Sequence, residues 1–167
     1  MTAKKTENPI PGLIALAVIG VILYGCWQGS NSVEEREAAL RASTDPSEIA
    51  ALVLGADAKS KATRRGQFID VEYQLKASWD GPWTAKSFKH DAVKLFPVMF
   101  NNVNDMDKVR ILARSELVDI RGNTSEEIVA RVTISRKNNV KIRWDNVLPS
   151  NLPSFADDYW EHPALKN

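Results

Sequence analysis

Residues 67–77 read QFIDVEYQLKA, and residues 84–103 read TAKSFKHDAVKLFPVMFNNV. The first stretch alternates. Ile69, Val71, Tyr73, Leu75 and Ala77 fall on one side and Asp70, Glu72, Gln74 and Lys76 on the other, which is the two-residue period of a half-buried strand. In the second stretch Phe88, Ala92, Leu95, Phe96, Met99, Phe100 and Val103 recur every three or four positions, describing a helix with one apolar face. Between them, Trp79-Asp80-Gly81-Pro82-Trp83 carries turn chemistry. Pro97 removes the donor for the carbonyl of Val93, so a kink or a break into two pieces is expected there.

Downstream, Val109, Ile111, Ala113, Ser115 and Leu117 share one face of a second strand, and Asp119–Asn123 (DIRGN) supplies a turn with Gly122. Ile128, Ala130, Val132 and Ile134 mark a third strand. Asn138-Asn139 offers a hairpin turn, and Val140, Ile142 and Trp144 mark a fourth strand. The order is β-α-β-β-β over residues 67–147. Each strand has one apolar face to hide, so the economical packing is an α+β domain with a mostly antiparallel sheet covered on one face by the kinked helix.

Upstream, Asp45 caps a short helix that has Pro46 at its first position and Gly55 at its end, and Ser32–Ala42 reads as another short helix with acidic residues in its first turn. Residues 56–66 are polar and aperiodic and read as a loop, so 29–66 is a helical stalk followed by that loop. No charge occurs from Asn8 to Val33, and Ile10–Trp27 is apolar almost throughout, which makes residues 10–28 a transmembrane helix or signal anchor. Lys4 and Lys5 precede it and Glu34, Glu35 and Glu37 follow, so residues 1–9 are expected in the cytoplasm and the domain outside, periplasmic or extracellular. A cleaved signal peptide is the competing reading. Leu23-Tyr24-Gly25-Cys26 also resembles a bacterial lipobox, which implies lipidation of Cys26, although Tyr24 departs from that pattern.

The net charge is +1, which gives no electrostatic argument for nucleic-acid binding. Cys26 is the sole cysteine, so no disulfide framework or thiolate zinc site is expected in the soluble part. There is no GxGxxG, P-loop, HExxH or GxSxG, and the two histidines leave few general bases for catalysis near neutral pH. The expectation is a non-enzyme without cofactor. His90 falls on the polar side of the main helix and reads as a solvated position. Asp157, Asp158, Glu161 and His162 have ligand chemistry for a divalent cation, set against the plainer reading of a solvated acidic tail. Lys59, Lys61, Arg64 and Arg65 could touch anionic lipid head groups, or simply be solvated.

Aromatic residues are the stronger signal. Trp79, Trp83, Tyr159 and Trp160 are the candidate interaction residues, because such rings offer large contact area at low entropic cost. The plainer alternative packs Trp144 against Trp160 inside the domain, with the Pro- and aromatic-rich tail 148–167 pinned onto it. A free sheet edge offers a second way to bind a partner. The layout of short tail, single span, stalk and small domain is similar to that of bitopic inner-membrane subunits of secretion and conjugation machines. That resemblance implies an accessory or assembly component of a bacterial envelope system, bound to the membrane and acting through a protein partner or a homo-oligomer. The alternative is a tethered sensor that binds a ligand or ion.

Overall fold

The computed structural model describes residues 33–75 and 81–166. The apolar segment 10–28, Cys26 and Trp79 lie outside the described residues. Among those described, no helix is long and apolar enough to cross a membrane.

Residues 33–42 are helical (α1), and a compact unit begins within this helix at Ala39 and runs to the C terminus. Helix α2 (Pro46–Leu54) starts as its sequence dictates. Asp45 Oδ1 accepts the Ser47 N–H at 2.9 Å, Pro46 occupies the first turn, and Gly55 ends the helix at φ 88°. Ile49 and Ala50 are the residues it buries.

The polar run expected to be a loop over 56–66 contains instead a short 3-10 turn (Ala56–Ala58) and strand β1 (Lys61–Arg65). β1 folds back antiparallel on β2 (Phe68–Gln74) through a tight turn in which Gly66 takes φ 62°. It is an edge strand in which only Ala62 is half-buried, so no period-two pattern could announce it. In β2 the alternation holds: Ile69, Val71, Tyr73 and Leu75 are buried.

Helix α3 runs unbroken from Gly81 to Asn102, three residues earlier than the apolar spacing suggests. Phe88, Ala92, Leu95, Phe96 and Met99 are fully buried along its inner face. Pro97 lies inside this single helix and does not divide it into two, so the expected break is absent. α3 links β2 to β3 (Lys108–Val118), and because the connection is a crossover the two strands pair in parallel. β4 (Thr124–Ser135) returns antiparallel after the Asp119–Asn123 turn, where Asp119 Oδ1 accepts the N–H groups of Arg121 and Asn123, both at 2.8 Å, and Gly122 has φ 82°. A bulge between Ala113 and Arg114 leaves Val129 as the extra residue, and its side chain is buried.

The fourth strand expected at Val140–Trp144 does not form. Ser135 Oγ caps a one-turn helix, α4 (Arg136–Asn139), so Asn138-Asn139 is helical rather than a hairpin turn. The chain then passes through 3-10 turns at Trp144–Asn146 and Pro149–Asn151 and a one-turn helix α5 (Leu152–Phe155). The open edge of β4 is taken by β5 (Asp158–Glu161), which comes from the presumed tail. The fold is therefore α+β with a five-stranded mixed sheet in the order β1-β2-β3-β4-β5. Three of its four pairings are antiparallel and the β2–β3 pairing is parallel.

Arg136 ties α4 to the end of α3. Its guanidinium donates to the carbonyls of Val103 (2.6 Å), Met106 (2.7 Å) and Phe100 (3.4 Å), and lies 5.4 Å from the Phe100 ring centre. The Phe100 carbonyl belongs to the last turn of α3, where a helix leaves carbonyls without intrahelical donors and favours positive charge, and Val103 and Met106 lie just beyond that end.

Candidate functional site

Strand alternation puts a second set of side chains on the sheet face opposite the core, and most are charged. Arg110 grips Asp70 through two hydrogen bonds of 2.8 and 2.9 Å, Arg114 pairs with Glu72 on the neighbouring strands, and Arg131 pairs with Asp158 at 3.0 Å. Asp70 is almost fully buried beneath Arg110, a position a carboxylate holds only with such a partner. Phe68 lies under Arg110 (5.1 Å) and Trp160 under Arg131 (5.8 Å). One end of this face hollows into an open cleft of about 560 Å³, whose walls carry Lys59, Lys61 and Arg114 against Glu72, Glu116 and Glu126. Its charges balance, so it suits a polar or zwitterionic segment better than a strong anion or cation.

A second hollow, of about 400 Å³, lies between the 3-10 turn at Ala56–Ala58, the end of β2 and the first half of α3. Tyr73 and Asp91 meet there, with the Tyr73 hydroxyl donating to Asp91 Oδ2 at 3.1 Å. Burial raises the carboxyl of Asp91 above its usual range, and the Tyr73 hydrogen bond, Lys94 and His90 only partly offset it. Burial, reinforced by the Asp91 charge, pushes the Tyr73 hydroxyl well above its ordinary value.

A raised carboxyl has a definite consequence for stability. The folded state holds the Asp91 proton more tightly than the unfolded chain, so stability falls as pH rises from the usual carboxylate range through the raised folded value. Asp91→Asn removes this loss while keeping an acceptor for Tyr73. The variant is expected to melt a few degrees above the parent at pH 7 and to match it near pH 3. Equal melting curves at both pH values would show that Asp91 ionises without cost.

The three candidate aromatic residues among the described residues, Trp83, Tyr159 and Trp160, do not form one patch. Trp83 projects from the first turn of α3, exposed, with Lys86 Nζ 4.8 Å from its ring centre. Tyr159 faces the core side of the sheet near Phe88, with a ring separation of 6.3 Å, and its hydroxyl donates to Glu161. Desolvation and the Glu161 charge drive that hydroxyl far above its ordinary value. Trp160, its neighbour in β5, turns to the opposite face. Trp144 does not meet Trp160. It stacks on Phe96 at 5.8 Å, meets Phe155 edge-on at 6.0 Å, and donates from Nε1 to Asn139 Oδ1 at 2.8 Å.

The acidic tail group is dispersed in the same way. Asp158 pairs with Arg131, Asp157 accepts the Ser135 N–H, Glu161 pairs with Lys89 at 3.0 Å, and His162 Nδ1 accepts the Ala164 N–H at 3.1 Å. Among the described residues no three His, Cys, Asp or Glu side chains are placed to hold a metal ion. His90 is exposed, as read from its helical position.

The most conspicuous surface feature is one that sequence reasoning passed over. Beyond Arg114 and Ile128, among the described residues, the register pairs β3 and β4 only with each other, so the two strands continue as a ribbon. Its tip carries Val118, 68% exposed, and Ile120, fully exposed. The signal was an isoleucine inside the turn DIRGN, where no core could claim it. Val140 (76% exposed) and Leu148 (64%) stand out in the segment after α4. No family model, curated protein or solved structure matches the chain.

Proposed function

We propose that the chain is a membrane-tethered assembly component of a bacterial envelope system, and that its domain works by binding protein. The observation that supports this reading best is the β3–β4 ribbon with Val118 and Ile120 bare at its tip. An isolated surface apolar residue means little, but two at the end of a projecting hairpin form a knob suited to a partner's pocket. The uncharged segment Asn8–Val33 supports a tether, and the flanking charges support a cytoplasmic N terminus with the domain on the far side of the inner membrane. A ligand-binding sensor is the second reading, favoured by the Tyr73–Asp91 hollow.

Mild detergent extraction of the native protein, followed by particle sizing and identification of whatever travels with it, is the test. A particle several times larger than the 18.6 kDa chain, with reproducible components, is the expected result. A lone monomer would overturn the assembly reading in favour of the hollow as a ligand site.

A further inference from the structure

Asp91 sits where a neutral residue would serve the fold better. Its Oδ2 accepts the Tyr73 hydroxyl at 3.1 Å, and among the described residues no other hydrogen-bond donor, and no Lys or Arg at ion-pair distance, reaches its carboxylate. Burial raises its carboxyl, and the charges of Lys94 and His90, its neighbours on α3, do not make up the difference. An asparagine would accept from Tyr73 without that cost. An ionisable group kept at a cost to stability, in the wall of a hollow, is the mark of a binding site more than of packing.

The hollow itself has the make-up of a small-ligand site. Its volume of about 400 Å³ falls within the span of such pockets, roughly 300–1,000 Å³. Leu54 and Leu75 supply apolar wall, Gln74 and Ser87 supply polar groups, and the charged side chains among its described lining residues, Asp57 and Asp91, are both acidic. Lys59 and Lys61 line the larger cleft instead. The set falls short of a metal site: a divalent ion gathers about six oxygens, and among the described residues no three His, Cys, Asp or Glu side chains are placed for one. It suits an ammonium group, to whose three N–H donors Asp91, Ser87 and Gln74 offer acceptors.

We propose that this hollow binds a small organic ammonium ion, with the Asp91 carboxylate as its counter-ion and the Tyr73 hydroxyl holding that carboxylate in place. The proposal deepens the ligand-binding reading above and does not depend on the ribbon. An ammonium seated in the hollow meets Asp91 in a partly desolvated setting, where a charge-assisted hydrogen bond is stronger than in open water. The charge that burial disfavours in the empty domain then becomes the main source of affinity. An uncharged ligand gains no such pairing, and an anionic one is repelled by Asp91.

The test titrates the isotopically labelled full chain in detergent with butylammonium chloride and follows the backbone amides by NMR. The expected result is a saturable shift confined to the amides of residues 54–58, 73–75 and 87–91, half complete at a concentration on the order of 1 mM. Butanol, of the same size without the charge, should bind about tenfold more weakly, and butyrate should give no saturable shift. Asp91→Asn should lower the butylammonium affinity about tenfold, while its melting curve shows that the variant is folded. Equal affinity of the variant and the parent, equal affinity for butanol, or shifts without saturation would each overturn the proposal. Nα-acetyl-lysine N-methylamide should bind no more tightly than butylammonium. Binding about tenfold tighter would assign the hollow to a lysine side chain of a protein partner and overturn the free ligand. Particle size in detergent tests the assembly reading separately, so either can fail without the other.

Discussion

Arg136→Ala is expected to destabilise the domain by about 3 kcal/mol, which is two or three charge-assisted hydrogen bonds to carbonyls at and just beyond the end of α3. The loss is more than a local one. The guanidinium joins the end of α3 to the exit of β4, and the backbone repeats that link where the Arg136 N–H reaches the Asp107 carbonyl at 2.6 Å. Arg136→Lys keeps the charge and loses the planar fork, so it should recover roughly half of the lost stability. Urea unfolding followed by tryptophan fluorescence measures both variants. A change under about 1 kcal/mol for the alanine variant would mean that water serves those carbonyls equally well.

Trp144→Ala should cost a similar amount, about 3 kcal/mol, by removing a ring that packs between Phe96 and Phe155. Here the loss should also spread along the chain. Trp144 fastens the irregular stretch between α4 and β5 to the inner helix, and without it the β5 amides are expected to exchange with solvent markedly faster than those of β3. Trp144→Phe keeps the stacking and gives up the bond to Asn139 Oδ1, for a cost nearer 1 kcal/mol. Uniform exchange across the sheet in the alanine variant would show that β5 is held by its strand pairing and not by the segment leading to it.

Trp144 also shows why the C-terminal third resisted sequence reading. Val140, Ile142 and Trp144 have the spacing of a strand, but Ile142 and Trp144 pack into the core from irregular chain while Val140 is exposed. Three residues at period two cannot distinguish these cases, and the matter is decided by the Ser135 cap on Asn138 together with the remote contact of Arg136 with Val103. β1 and β5 were illegible for other reasons. β1 is an exposed edge with half-buried Ala62 as its single inward contact, and β5 is four residues long with ring-bearing side chains on both faces. β2, α3, β3 and β4 were legible because each buries a full face, and α2 because its caps act within a few residues. The site was harder. Trp83, Tyr159 and Trp160 have the chemistry of interface residues, yet the fold places them at one helix start and on two opposite sheet faces. The ribbon tip was missed because a lone isoleucine in a turn has no periodicity to report.

The strand order has a kinetic corollary. Each strand lies beside its neighbours in the chain, so the sheet can grow outward from the β3–β4 hairpin by adding one adjacent segment at a time. The slow step is then the docking of β2, which must close a loop spanning the whole of α3 before its parallel pairing repays the lost entropy. β5 follows β4 only after the irregular stretch 136–157, so a chain emerging N terminus first shows an unpaired β4 edge until residues 158–161 have been delivered. During that interval the edge strand is open to mispairing, and the domain's vulnerability to aggregation is set by how quickly β5 is delivered.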